Sequence, residues 1–361
     1  MSSQYIYGVA NVTQPLTLDA AGLAGGLQLV AEGDIGAIVG TVPDCDLRAL
    51  PQSQAVQLLL RHQEVLEAVM TQTTVLPVKF GAIAPDEAAV RRMLIQGRDV
   101  LSERLAEFTD HLQMEIVVLW RLDQVFSEIA TERDILQLRE RAGASGDEAN
   151  ALRLGQAVKT ALERRRTALN DEICDVLGTV ATDMAANPLM DDRMAANFAL
   201  LLNKTDVGSL EGMLNRLNTE LDGEVKLSRV GPLPPSNFAT VEVSFAQVDA
   251  ITWARDTLEL GQKASRSEIK SAYERLAQPC RPDPEQGRDG SPERMGDLAK
   301  AYRCLMTYAK AQTQTQDQKQ NQDSPEWLFD ASTAADMVMI NVVRQSMNAP
   351  EVSGTTQENA A

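Results

Sequence analysis

The sequence predicts an α+β protein: two units of helices packed on antiparallel sheets, followed by a small helical segment and a tail. Three observations carry that expectation. Short β-branched runs alternate with stretches of three-to-four apolar spacing as far as Phe245. Beyond it helical spacing stands alone up to Lys310, and the composition then turns Gln-rich. Apolar residues make up 44% of the 361, enough for real cores, while aromatics make up only 4%, so those cores are built from Leu, Val, Ala and Met.

The first unit is expected over residues 1–121. Tyr5–Ala10 reads as a strand. Leu27–Ala31 and Ile35–Val42 flank the turn Glu32-Gly33-Asp34 and read as a hairpin. Ser53–Met70 reads as a helix whose buried stripe is Ala55, Leu59, His62, Leu66 and Val69. Val75–Phe80 is a short buried strand. Pro85-Asp86-Glu87 opens a second helix, with acids in the first turn where the helix dipole favours them. The apolar run Met114–Trp120 closes the unit.

The second unit is expected over residues 122–248. Arg141–Asn150 is polar and turn-prone, and a long helix follows from Ala151 to Met184. Leu154, Val158, Leu162, Leu169, Ile173, Val176 and Val180 trace its inner face. Glu163-Arg164-Arg165-Arg166 reads as a solvated face, with a docking patch for an acidic partner as the other reading. Phe198–Leu202 is a strand, Val207–Leu221 a helix, Gly223 a turn, and Val225–Val230 and Ala239–Phe245 are strands. Such alternation suits ferredoxin-like sandwiches, with helices on one face of an antiparallel sheet.

Residues 249–310 read as a helical hairpin. Ser265 and Glu268 form a capping box at the start of one helix. Ile269, Tyr273 and Leu276 are placed to meet Leu298, Ala301, Tyr302 and Leu305 of the next. Residues 311–361 begin as a Gln-rich linker, expected to be disordered. Trp327-Leu328-Phe329 and Met337–Val343 bring back apolar side chains. Met337, Ile340, Val343, Arg344 and Met347 fall at helical spacing, and a helix this short must dock on its own domains or on a partner.

The chemistry bounds function further. The net charge is −17, which disfavours phosphate backbones, so no nucleic-acid partner is expected. No apolar run reaches the roughly 18–20 residues of a membrane span, so no membrane partner is expected either. No basic region followed by an apolar stretch marks a signal peptide. Cys45, Cys174, Cys280 and Cys304 are scattered, as in reduced cytoplasmic proteins. His62 lies on an apolar stripe and reads as a satisfied core residue; His111 follows a helix end, where a partly positive imidazole suits the dipole. Gly22, Gly25 and Gly26 lack the strand a dinucleotide fingerprint needs. Asp283, Glu285 and Asp289 fail calcium-loop spacing because Gly287 falls at a ligand position. Asp191-Asp192-Arg193 reads as a turn and helix start. No catalytic, cofactor or metal residue is expected, and the chain is read as a non-enzyme.

Three stretches carry a family likeness. The helix containing His62 runs into Val75-Leu76-Pro77-Val78-Lys79-Phe80-Gly81; Tyr5-Ile6-Tyr7-Gly8-Val9 opens the chain; Gly231-Pro232-Leu233-Pro234-Pro235-Ser236-Asn237-Phe238 comes late. In this order they resemble the gas vesicle protein L/F family (GvpL/GvpF). Lys79 stands for an Arg, Leu233 for a Trp, and Ser236-Asn237 for Tyr-Ser. The resemblance implies a minor structural or accessory factor in gas vesicle assembly, located at the vesicle and in the cytoplasm. Its implied partners are the hydrophobic major shell protein and other accessory gas vesicle proteins. Candidate contacts are Leu76, Pro77, Lys79 and Phe80, and the sheet edge with Pro232, Leu233, Pro234, Pro235 and Phe238. A second likeness lies in Ala254-Arg255-Asp256-Thr257-Leu258, Ala264–Tyr273, Arg281-Pro282-Asp283 and Leu298–Leu305, which resemble a J domain. Arg281 stands where a J domain carries His. The resemblance therefore implies a J-like scaffold used for packing or docking, with Hsp70 recruitment by a J-type co-chaperone as the rival reading.

Overall fold

The computed structural model describes residues 3–18, 26–41, 50–145, 148–221, 225–245, 248–280, 291–315, 326–329 and 337–345. The chain opens with β1 (Gln4–Asn11), β2 (Leu27–Glu32), β3 (Ile35–Thr41), α1 (Gln52–Met70), β4 (Val75–Pro77), β5 (Ile83–Ala84) and α2 (Glu87–Glu107). These strands form one antiparallel sheet in the order β2-β3-β1-β4, with β5 also on β1. Lying inside the sheet, β1 is buried from Tyr5 to Ala10, which explains its unbroken apolar run. The β2–β3 hairpin turns on two residues, and Gly33 takes φ +66 at the first of them, the place such a turn reserves for glycine. At the start of α2, Asp86 Oδ1 accepts the Ala89 N–H at 2.8 Å, the expected cap. The strand expected over Val75–Phe80 is shorter. The strand ends at Pro77; Val78 N–H still donates to Tyr7 O at 3.0 Å, and Lys79 N–H donates to Val241 O at 2.9 Å.

The second sheet contains β6 (His111–Trp120), β7 (Asp183–Ala186), β8 (Met194–Asn203) and β9 (Val225–Leu233). Between them run α3 (Leu122–Ile129), α4 (Arg133–Ser145), α5 (Glu148–Leu177) and α6 (Val207–Glu220). Its order is β7-β8-β6-β9, all antiparallel, which with the intervening helices is the ferredoxin-like β-α-β-β-α-β arrangement. The first sheet repeats this strand order. One face of β6 (Leu112, Met114, Ile116, Val118 and Trp120) packs with Leu162, Ile173 and Leu177 of α5 and Leu210, Leu214 and Leu217 of α6.

Four expectations change here. The run Met114–Trp120 does not close the first sheet; as β6 it lies between β8 and β9. Arg141–Ser145 is helical, the end of α4. The long helix stops at Leu177, where Gly178 N–H bonds Cys174 O and the chain turns into β7, so Met184 is a strand residue. Asp191-Asp192-Arg193 is the β7–β8 turn rather than a helix start: Asp191 Oδ1 accepts the Arg193 N–H at 2.9 Å, and β8 follows directly.

The remaining elements are β10 (Thr240–Phe245), α7 (Val248–Thr257), β11 (Lys263–Ser265), α8 (Arg266–Ala277), α9 (Pro292–Thr315), β12 (Glu326–Leu328) and β13 (Val338–Val343). β10 does not join the second sheet. It pairs with β13, and Val241 makes a parallel bridge to Val78. The expected tail helix over Met337–Val343 is thus a strand, for its β-branched run finds an edge to pair with. It docks on its own chain, and Met347 lies outside the described residues. The capping box forms as expected, with Ser265 Oγ accepting the Glu268 N–H and the Glu268 carboxylate accepting the Ser265 N–H at 2.7 Å. Ile269, Tyr273 and Leu276 share a core with Leu298, Ala301, Tyr302 and Leu305. The helical hairpin is therefore real, and in the sequence it lies between the paired strands β10 and β13. The Gln-rich stretch starts inside α9, which runs to Thr315; residues 316–325 lie outside the described residues. Trp327, Phe329 and Met337 are buried in the same core as the hairpin, with β12 paired to β11.

By contact density the described residues of Met1–Leu105 and Val241–Val342 form one compact unit, and those of Ala106–Thr240 and Val343–Ala361 another.

Candidate functional site

Three elements converge on His62. β1 supplies Tyr5 and Tyr7, α1 supplies the imidazole, and the chain leaving β4 supplies Phe80. Tyr5 OH lies 2.9 Å from His62 Nδ1 and accepts the Gly81 N–H at 3.3 Å. The Tyr7 ring stacks on the imidazole at 5.7 Å, and Phe80 meets it edge-on at 5.8 Å. Burial pushes His62 down to about 4, against the opposing pull of a hydrogen bond to the Val78 backbone. Burial also pushes Tyr5 up to about 12 and raises Tyr7, the latter opposed by Arg61. All three groups are therefore neutral at pH 7. None is a base poised near the operating pH, so the cluster locks β1, α1 and the Val78–Gly81 segment together instead of moving protons.

Phe80, on the chain leaving β4, is 37% exposed. On the first half of α1, Val56, Leu59 and Leu60 are 48%, 51% and 58% exposed. Val56, Leu59 and Leu60 stand three and four residues apart, so they share one face of α1. Beside Phe80, the Lys79 ammonium lies 2.6 Å from Glu242. Exposed apolar side chains grouped on one helix face are the form of a protein-binding surface.

The structure sorts the predicted contact residues sharply. Leu76, Pro77, Pro234, Pro235 and Phe238 are buried and hold the fold. Lys79, Phe80 and Pro232 are exposed, and Leu233 is half-buried. Leu59, placed by periodicity on the buried stripe, faces outward. The first half of α1 carries apolar residues on more than one face, and that excess was the signal for a surface role. Arg281, Pro282 and Asp283 lie outside the described residues, as do Cys45 and the acidic residues around Gly287.

The late Pro-rich stretch builds a second polar site. Gly231 takes φ +122, and a Cβ there would sit 2.8 Å from Met114 Sδ, so only glycine fits. Pro232 and Leu233 extend β9 at the sheet edge, where a missing donor is tolerated. Asn237 then faces Gln113, whose side chain accepts the Asn237 N–H at 3.0 Å and donates to Asn237 Oδ1 at 2.9 Å. The basic run on α5 is engaged inside the chain. Arg164 and Arg165 pair with Glu132, Arg165 also with Glu128, and Arg166 lies 5.3 Å over the Trp120 ring. His111 sits at the start of β6 with its ring edge-on to Phe108 at 6.4 Å. Among the described residues no His, Cys, Asp and Glu group could hold a metal ion, and no helix is long and apolar enough to cross a membrane.

Comparison with known proteins meets this geometry directly. The family model of the gas vesicle synthesis protein GvpL/GvpF matches residues 3–240, and the DnaJ domain model matches residues 256–313. Gas vesicle protein F of Streptomyces sp. (strain CB03234) is 27% identical over 243 residues, covering 65% of this chain and 99% of that protein. Gas vesicle protein L of the same strain is 30% identical over 105 residues, covering 27% of this chain and 40% of that protein. The crystal structure of GvpF from Anabaena sp. PCC7120 superposes with a TM-score of 0.54 at 16% identity, covering 65% of this chain and 97% of that one. GvpF from Microcystis aeruginosa gives 0.52 at 17%, covering 65% and 98%. These two likenesses show a shared fold over the matched part of the chain. With its model spanning residues 3–240 of 361, the chain belongs to the gas vesicle synthesis protein GvpL/GvpF family and carries a DnaJ domain after the family region.

Proposed function

We propose that this protein is a non-enzymatic assembly factor or minor component of gas vesicles, which binds the hydrophobic major shell protein and other accessory gas vesicle proteins. The observation that carries this reading is the exposed apolar face of Val56, Leu59 and Leu60 on α1. A shell subunit with an apolar gas-facing surface aggregates unless that surface is covered before assembly. An apolar face on a body of charge −17 can cover it and keep the complex dispersed. Its place of action is the vesicle and the surrounding cytoplasm.

The test is co-purification of the major shell protein with a Leu59→Glu/Leu60→Glu variant. Both positions are more than half exposed, so thermal stability should stay within about 0.5 kcal/mol of the parent. Capture of shell protein should fall about tenfold or more, since charge replaces the centre of the contact. Undiminished capture by the folded variant refutes this face as the contact.

The DnaJ match favours a second reading, a J-type co-chaperone that recruits Hsp70 to vesicle proteins. Helix α8 presents Lys270 and Arg275, but both are engaged on the surface, with Glu274 and Glu259. Arg281 replaces the J-domain His in the sequence. The expected result is therefore no stimulation of ATP turnover when the protein is added to purified Hsp70. Stimulation that disappears on Asp283→Asn would establish the co-chaperone instead.

A further inference from the structure

The strongest unassigned feature is the polar cradle that holds Arg344 and Gln345. Arg344 Nε and Nη2 both donate to Asp183 Oδ2, at 3.1 and 2.7 Å, and Nη1 donates to Glu107 Oε1 at 2.9 Å. Gln345 N–H donates to Asn237 O at 2.7 Å, and Asn237 Nδ2 donates to Gln345 Oε1 at 3.0 Å. The cradle is organised without the tail. Gln113, fully buried, grips Asn237 through both its amide atoms, and Asn237 Nδ2 also donates to Asn187 Oδ1 at 2.7 Å. Asp183 is only 6% exposed; its Oδ1 accepts the Met184 N–H at 2.8 Å, and its Oδ2 accepts from Arg344.

Two physical facts set the consequence. A carboxylate buried this far is costly without a cation, so the cradle demands a guanidinium or its equivalent. The Arg344 side chain is itself 41% exposed, so the group meeting that demand lies at the surface. A main-chain N–H on a carbonyl, beside an arginine on a buried carboxylate, is the pattern by which an extended peptide is bound.

We propose that Glu107, Asp183, Asn187 and Asn237 form a docking site for an extended, arginine-bearing segment of a partner protein, held shut by the chain's own Arg344-Gln345. The tail is a competing internal ligand. A partner segment at high local concentration displaces it, and the buried carboxylate exchanges one arginine for another with no uncovered state of long life. This proposal does not depend on which vesicle component the α1 face binds.

The probe is a fluorescein-labelled peptide of the sequence Asn341–Gln345, Asn-Val-Val-Arg-Gln, titrated with full-length protein and read by anisotropy. Closure by the tail lowers apparent affinity by the fraction of open molecules. An Arg344→Ala/Gln345→Ala variant should therefore bind the peptide about tenfold or more tightly than the parent. Adding Asp183→Asn should abolish the gain, and a peptide with Ala in place of Arg should not bind. Circular dichroism establishes that each variant is folded. Should the double variant unfold, Arg344→Lys keeps a cation on Asp183 but loses the fork, and its affinity for the peptide should exceed that of the parent. Equal binding by the parent and the folded open variant overturns the proposal. So does the absence of binding to that variant, or Arg344→Lys binding no better than the parent when the double variant is unfolded.

Discussion

Phe329→Ala should unfold the DnaJ-like helices while leaving the ferredoxin-like sheets intact. Phe329 is 0% exposed, its ring lies 5.6 Å from that of Tyr308, its N–H donates to Gln262 O at 2.7 Å, and its carbonyl accepts from Arg255. Emptying such a site costs about 3–5 kcal/mol. A helical module of this size, considered alone, has a core worth only about 3–5 kcal/mol. Loss of one buried aromatic is therefore enough to melt it. Leu328→Ala, the preceding residue but 37% exposed, is the control and should cost well under half as much. Hydrogen exchange resolved by peptide reads the outcome: amides of α8 and α9 should lose protection in Phe329→Ala and keep it in Leu328→Ala. Unchanged protection in both would mean that α7, α8 and α9 stand without the C-terminal segment.

The second large effect is a pH dependence. His62 has its proton affinity lowered by burial from 6.5 to about 4, so the folded protein binds fewer protons than the unfolded chain between those values. Stability from this group is fully present above pH 6.5. It is lost as pH falls toward 4 and is constant below. The integrated loss is about 3 kcal/mol, since each unit is worth about 1.4 kcal/mol. Urea midpoints at pH 7 and pH 4.5 should fall more steeply in the parent than in His62→Gln, which shares every other titrating group. Parallel losses would place the acid sensitivity elsewhere.

Much of this architecture could be read from the residues. β1, the β2–β3 hairpin, α1, α6 and the Ser265–Glu268 box each carry a local signal, and each appears where that signal lies. The misplaced elements are those whose identity depends on a distant partner. Met114–Trp120 is plainly a strand, but nothing local says that β8 and β9 flank it. Val338–Val343 has apolar spacing that fits a helix equally well; β10 decides it. Val180 and Met184 continue the stripe of α5, while Gly178, the stronger stop signal, was outweighed by periodicity. The contact surface was legible in part. Phe80 and Lys79 are where a family-bearing motif meets solvent, but Leu76, Pro77, Pro234, Pro235 and Phe238 belong to the same motifs and are structural. Motif residues are kept by packing as much as by binding. The outward turn of Leu59 and Leu60 needed the neighbours of α1 to be seen.

The sequence between β10 and β13 leaves and re-enters the body on adjacent strands. Neighbouring strands lie about 4.8 Å apart, so an insert placed between β10 and β13 needs termini that meet. A fluorescent reporter or an affinity handle with juxtaposed ends should be exchangeable for the helices between these strands, giving a tagged protein whose residues 3–240 are untouched.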